Sequence, residues 1–360
     1  MTVPTVTVGR MTTQPRGLDI GRPASLIAAL PAVLGFVPEH SLAVVTVDNA
    51  GPGAELGAVM RVDLSAGLAE NTDHLAEVVG AGGPEGAIAV IIDEFGSECE
   101  ACGTDHLELA DALARSLAEE GVDLFAVLVV DRVAAGGRWF CADGCGANGV
   151  VDDPEASPLA AAAVLDGRRL YRRRADLQEI IAVTDSDRSE RLAQTIAGHA
   201  RFEPTAAQVR ETAHLAMVVA ARLADGTEPA DAELVRLARG LSDPRVRDIL
   251  YALAVGAAAA DAEALWAMMA RVLPEPARPD VLVLLAFSAY ARGDGPLAGI
   301  ALEAALQLDP RHRMAAMLDS ALQSGMRPEQ IRGMALSGYR TAERLGVRLP
   351  PRLAFGQRAG

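Results

Sequence analysis

Four cysteines and a few carboxylates at the ends of apolar runs are the residues of this sequence best suited to chemistry. Cys99-x-x-Cys102 and Cys141-x-x-x-Cys145 form two short-spaced pairs, and two such pairs can supply a tetrahedral thiolate site for zinc. The first pair follows an apolar run ending at Ile92 and reads as loop. The second follows a strand too short to run far from that loop, so both pairs are expected at one edge of a sheet. The competing reading is a set of unpaired, reduced thiols. A redox role for Cys99-Glu-Ala-Cys102 is disfavoured, because Glu98, Glu100 and Asp105 surround the pair and oppose a thiolate.

Asp48, Asp93 and Asp131 each end a run that reads as a strand. If those strands are parallel, the three side chains gather at the carboxyl edge, where α/β sheets bind ligands; with Glu94 they could hold Mg²⁺ through oxygen. The plainer reading is that aspartate favours turns after strands. Asp63 ends an antiparallel strand and is expected at the opposite edge. Gly144-x-Gly146-x-x-Gly149 has the dinucleotide-binding spacing but runs into Val-Val-Asp-Asp-Pro rather than a helix, and Gly51-x-Gly53 leads into another strand, so both read as turns. The histidines at 40, 74, 106, 199, 214 and 312 show no metalloprotease spacing. Arg245 and Arg247, with Asp248, read as a structural tie to a carboxylate of the N-terminal half.

These residues need elements to position them. Residues 1–17 read as disordered, and residues 18–155 as an α/β domain with strands near 42–47, 56–62, 87–92, 124–130 and 138–140. Helices are expected near 69–80 and 104–120, the second presenting Leu107, Ala110, Ala114 and Leu117 on one face. The first two strands are joined too tightly for a crossover and form an antiparallel hairpin; later strands, separated by helices, are expected to be parallel. The result is a mixed sheet with packed helices. Residues 156–204 read as a helical connector, 205–345 as an all-α array of helical hairpins and 346–360 as a flexible tail. Ser157-Pro158, Asp243-Pro244 and Asp309-Pro310 each put a capping side chain before a proline that suits a first helical turn.

With 33 Lys and Arg against 48 Asp and Glu, the net charge is -15, which opposes binding to nucleic acid or anionic membranes. The one basic cluster, RRLYRRR at 168–174, has no basic companion and reads as a solvated segment. No apolar run approaches the roughly 20 residues that span a bilayer, and the N-terminus lacks the apolar core of a signal peptide. A cytoplasmic location is expected.

The string Pro23-x-x-Leu26-x-x-x-x-Pro31-x-x-Leu34-Gly35-Phe36-x-Pro38-x-x-Ser41-Leu42 resembles the opening of an actinomycete family known as domain of unknown function 4192. Further matches follow in order: Arg61-Val-Asp63-Leu64, Trp139 with Cys141 and Cys145, Arg174-Ala-Asp-Leu177, Arg245-Val-Arg247-Asp248, Trp266, and Arg292-Gly-Asp-Gly295 with Ala298, Ala301 and Asp309-Pro310. In that family a Cys-Cys-Pro commonly stands where this chain has Gly144-Cys145-Gly146. The resemblance implies no activity. Residues 284–310 are similar to a tetratricopeptide helical hairpin turning at Gly293-Asp294, with a fainter copy ending at Pro274, close to the repeat period of about 34 residues.

Two functions are therefore expected to compete. One is an interaction or ligand-binding module that meets a protein partner through its helical half. The other is a metal-dependent enzyme or zinc-stabilised domain with its site at the sheet edge.

Overall fold

A computed structural model of the chain describes residues 6–10, 21–48, 55–65, 67–94, 100–165, 170–198, 204–324 and 326–353. Cys99, Gly51, Gly53, Arg168 and Arg169 lie outside the described residues. The chain divides into two compact units. The first is built on residues up to Leu177, and the second on residues from Gln178 apart from Asp294–Pro296 and Ala321–Gly325.

The first unit runs β1 (Thr7–Arg10), α1 (Pro23–Leu34), β2 (Ser41–Asp48), β3 (Glu55–Asp63), a 3-10 turn at Leu68–Asn71, α2 (Thr72–Gly80), β4 (Gly86–Ile92), α3 (Glu100–Glu119), β5 (Asp123–Val130), β6 (Arg138–Cys141), β7 (Asn148–Val150), α4 (Pro158–Leu165) and α5 (Arg174–Gln178). Pro23 occupies the first turn of α1, and Gly35, at φ 76, ends that helix in the left-handed conformation with its N–H on the Pro31 carbonyl at 2.8 Å. The β-branched run that follows becomes β2, buried from Ser41 through Val47 because it is covered on both faces.

The strands form one mixed sheet in the order β1-β3-β2-β4-β5-β6-β7. β2 and β3 make the expected antiparallel hairpin, and β4 and β5 are parallel; every other neighbouring pair is antiparallel. β1 lies within residues 1–17, which composition alone marks as disordered. Leu42, Val44, Met60, Val62, Ala89, Ile91, Val127 and Val129 present one face of the sheet to Leu75 and Val79 of α2 and Leu109, Leu113 and Leu117 of α3. Burying each such side chain stabilises the fold by about 1.5–3 kcal/mol before entropy is subtracted. The other helix of the unit's first half, α1, packs on β1, β3 and α4.

The stripe of α3 differs from expectation. Leu107 is 51% exposed, and the buried line runs His106, Leu109, Leu113, Leu117. The hydrophobic pattern misplaces the helix face by one residue because its first buried position is a histidine.

The second unit is helical: α6 (Ser186–Ala197), α7 (Ala206–Ala224), α8 (Asp231–Gly240), α9 (Pro244–Leu253), α10 (Ala259–Val272), α11 (Arg278–Arg292), α12 (Gly295–Leu308), α13 (Arg313–Gln323) and α14 (Pro328–Leu345). α7 packs on α8, α9 and α10, α10 on α11, and α14 on α9. α14 and α9 approach closely at Gly338 of α14, where a Cβ would run into the Asp248 carbonyl oxygen of α9. Gly293, at φ 91, ends α11. Asp309-Pro310 departs from expectation: it forms a turn, and His312 caps α13 instead, its Nδ1 accepting from the Ala315 N–H at 3.2 Å. Among the described residues no helix is long and apolar enough to cross a membrane.

Asp243 begins α9 as the Asp-Pro pattern requires. It is buried, and it accepts from the Arg245 N–H at 2.8 Å and from the Arg245 side chain at 3.1 and 2.7 Å. The Arg245 guanidinium holds its carboxyl below the usual range, against an opposing effect of burial. Asp243→Ala is expected to cost about 1–2 kcal/mol at neutral pH, the worth of an N-cap. Because the folded pKa is depressed, this stability is present above the unfolded value of about 3.9 and is lost as pH falls through the lower folded value. Urea titrations of both proteins from pH 7 to pH 3 should show a constant gap that closes only at the acid end.

Candidate functional site

Strand direction decides which side chains meet. Ser41 of β2 stands opposite Asp63 of β3 on one side and Ile92 of β4 on the other, while Ile92 pairs with Val130 of β5. The start of β2 and the ends of β3, β4 and β5 therefore share one edge. Asp48 lies at the other, opposite Glu55, and so is separated from Asp93 and Asp131. Asp63, expected on the far side, joins them. Both corrections have one cause: the chain passes from β3 over β2 to reach β4, so β2 runs against β4 instead of with it.

Asp131 is consumed by its own turn. Its carboxylate accepts from the Arg138 N–H at 2.8 Å and from Arg132 at 3.0 Å, tying β5 to β6. Glu94 is exposed. The four carboxylates expected to share Mg²⁺ thus do not converge.

What Asp93 meets instead is imidazole. Its Oδ2 lies 3.0 Å from Nε2 of His106, with both side chains buried, and its Oδ1 lies 4.0 Å from Nδ1 of His40. The Asp93 N–H continues the parallel ladder to the Val130 carbonyl at 3.0 Å, which fixes the backbone of the carboxylate. His106 is carried by the buried stripe of α3. A carboxylate oxygen only accepts, so Nε2 of His106 carries an N–H toward it, and in the neutral ring Nδ1 is then a lone-pair acceptor. That Nδ1 is buried and has no hydrogen-bond partner among the described residues. His40, 67% exposed at its side chain, sits at φ 41, a conformation that side-chain-bearing residues seldom adopt.

Arg61 adds a buried cation to the same edge. Its guanidinium pairs with Asp63, donates to the Glu39 carbonyl at 3.2 Å and lies 5.9 Å over the Phe36 ring. Nε is buried without a partner among the described residues. Burial lowers its pKa, Asp63 opposes that shift and the neighbouring Arg174 adds to it. Arg174 reaches this region because Tyr171 forms a parallel bridge to Phe36, donating its N–H to Gly35 at 2.7 Å and accepting from Val37 at 3.2 Å. Part of the basic cluster is thereby tied to the end of α1.

The thiols separate into two environments. Cys102 lies in α3, not in a loop, and only the second pair can be described at the side chain. Cys141 Sγ, Cys145 Sγ and a carboxylate oxygen of Asp143 all lie within 4.8 Å of one another. Asp143 Oδ1 accepts from Cys141 Sγ at 2.9 Å and from the Cys145 N–H at 3.1 Å. Burial, then the hydrogen bond to Asp143, pushes the Cys141 thiol up to about 12, and the same bond from Cys141 lowers Asp143. Asp143 escaped sequence reasoning, although its place midway between the cysteines was the available signal. The glycine-rich string here is hairpin: Gly144 and Gly146 take φ 80 and 78, and Gly149 faces Trp139, whose ring a Cβ would touch at 3.0 Å.

In the helical unit, Arg245, Arg247 and His312 find their partners locally. Arg245 bonds to Asp243 and to the Pro204 carbonyl, and Arg247 to the Leu241 carbonyl and Asp280, in place of a carboxylate of the N-terminal half. His312 uses both ring nitrogens, Nε2 on Asp280 at 3.1 Å and Nδ1 on its cap. His106 is the contrast: it has the same carboxylate anchor with its second nitrogen unused.

No curated protein and no solved structure matches the chain. The model of one family, described as Domain of unknown function (DUF4192), matches residues 23–329, a span that takes in both the sheet edge and most of the helical unit, and the chain belongs to that family.

Proposed function

We propose that this protein is a ligand-binding module whose site is the sheet edge around Asp93, and that it takes a small polar molecule bearing an O–H or N–H donor for His106. The observation that carries this reading is the buried Asp93–His106 pair with its unused Nδ1 acceptor. A buried acceptor without a partner costs about 1–3 kcal/mol, and a bound donor would relieve that cost. The pair also stands beyond the carboxyl ends of the parallel strands β4 and β5, where open α/β sheets bind ligands. Strain at His40 and the Arg61–Asp63 pair concentrate further polar groups there. A partner groove on the helical hairpin is less supported, since α11 is buried without interruption from Val281 to Ala291 and serves as core.

Thermal unfolding in the presence of nucleosides, sugars, amino acids and hydroxy acids tests the reading. A ligand at 100 times its Kd stabilises the fold by about 2.7 kcal/mol. The expected result is a compound that raises the melting temperature of the wild type and loses that effect in His40→Ala, each shift being read against the variant's own ligand-free melting temperature. Effects retained in both His40→Ala and Asp93→Asn would place the ligand elsewhere. A second reading, proton-transfer catalysis at the same edge, is favoured by the carboxylate that orients the imidazole as in general-base pairs. Turnover of the bound compound, abolished in His106→Gln, decides for it.

A further inference from the structure

We propose that the β6–β7 hairpin is a metal site in its own right, binding one zinc ion through Cys141 Sγ, Cys145 Sγ and an Asp143 carboxylate oxygen, with a fourth position open to water. It stands on different residues from the Asp93 edge and does not depend on it.

The donor set carries the inference. Two thiols and a carboxylate suit a borderline-soft divalent cation and disfavour Mg²⁺ or Ca²⁺, which take oxygen alone. Zinc bonds of about 2.3 Å to sulfur and 2.0–2.2 Å to oxygen put tetrahedral donors roughly 3.5–3.8 Å apart. The three donors already lie within 4.8 Å of one another, so seating an ion asks for shifts of about 1 Å, with the Cys141–Asp143 pair, now at 2.9 Å, opening slightly. The backbone around them is fixed. The Cys141 N–H donates to the Ala147 carbonyl and the Ala142 N–H to the Val127 carbonyl, both at 2.8 Å, and Asn148 Nδ2 donates to the Gly146 carbonyl at 3.1 Å. Glycines at 144 and 146 supply the left-handed residues that fold Cys145 back toward Cys141. Asp143, now bonded to the Cys141 thiol and the Cys145 amide, holds a position between the two sulfurs. On binding, each thiol gives up its proton to solvent and the metal takes its place beside the carboxylate.

This assignment replaces a four-cysteine site with a three-donor one local to residues 141–145.

The test uses the full chain, purified without a metal-affinity tag, stripped with chelator and kept reduced. Zinc titrated against a chromophoric competitor should bind one ion per chain. Asp143→Asn should weaken binding by at least about 10-fold, the lower end of what even the outer partners of metal ligands cost, and Cys141→Ser with Cys145→Ser should abolish it. Cys99→Ser and Cys102→Ser should leave it unchanged. Cobalt(II) in place of zinc should give a thiolate-to-metal charge-transfer band that falls by about half in Cys145→Ser alone. Circular dichroism of each variant shows whether the fold persists, and Asp143→Asn, which keeps size and polarity at an exposed position, serves if the double variant fails to fold. No uptake by the wild type, uptake indifferent to Cys141 and Cys145, or uptake lost in Cys99→Ser or Cys102→Ser overturns the proposal.

Discussion

Trp266→Ala should destabilise the helical unit by about 3–5 kcal/mol, the range for removing a buried tryptophan. Trp266 is 1% exposed and is the largest of the fully buried side chains, on α10 where that helix packs against α7 and α11. Its removal leaves a void that close-packed helices fill only in part. The indole carries a second, opposing effect: Nε1 is buried with no hydrogen-bond partner among the described residues. Leaving such a donor unpaired costs about 1–3 kcal/mol. Trp266→Phe keeps most of the apolar area and discards that donor, so its loss should be far smaller than that of Trp266→Ala. The sequence has two tryptophans, and the other, Trp139, belongs to the sheet unit. Fluorescence of the Trp266 variants therefore follows the sheet while far-ultraviolet dichroism follows the helices. The expected outcome is a urea transition of the helical signal moved to lower concentration with its slope retained. A loss under about 1 kcal/mol for Trp266→Ala would mean the helices collapse around the gap.

The alternation of apolar runs with helical stripes made the α/β first half and the helical second half legible, because burial periodicity is local. Gly35 after Leu34 and Pro23 before Leu26 placed α1 to within a residue or so. Strand direction is different in kind. Nothing between Asp63 and Gly86 records that the chain skips over β2, so the exchange of Asp48 for Asp63 at the edge could not be read before the pairing was known. His106 was hidden for a chemical reason. A polar residue in a buried stripe shifts the apparent face of its helix, and Leu107 took the place in the pattern that the histidine holds in the fold. Asp309-Pro310 shows the converse, since a motif suited to a helix start became a turn once His312 capped α13 from three residues on.

Removing one partner of the Asp93–His106 pair should cost more than removing both. Asp93→Ala leaves His106 buried with neither nitrogen partnered among the described residues, and stranding a buried polar group in this way typically destabilises by about 1–3 kcal/mol. Replacing both residues with apolar side chains, as in Asp93→Val with His106→Leu, removes the stranded groups together, and such replacements are commonly neutral or stabilising. Double-mutant-cycle analysis of urea unfolding should return a coupling energy of about 0.5–3 kcal/mol, the span seen for residues in direct contact. The sign of the double variant then bears on function. If it is as stable as the wild type, the pair contributes nothing that apolar packing would not, and its presence at the carboxyl edge is explained by the ligand it serves, in keeping with sites that trade stability for activity. If the double variant is as unstable as Asp93→Ala, the pair is part of the scaffold that joins α3 to the end of β4. The ligand reading would then lose the observation on which it stands, and the three-donor hairpin at Cys141, Asp143 and Cys145 would be left as the chain's one chemically distinctive site among the described residues.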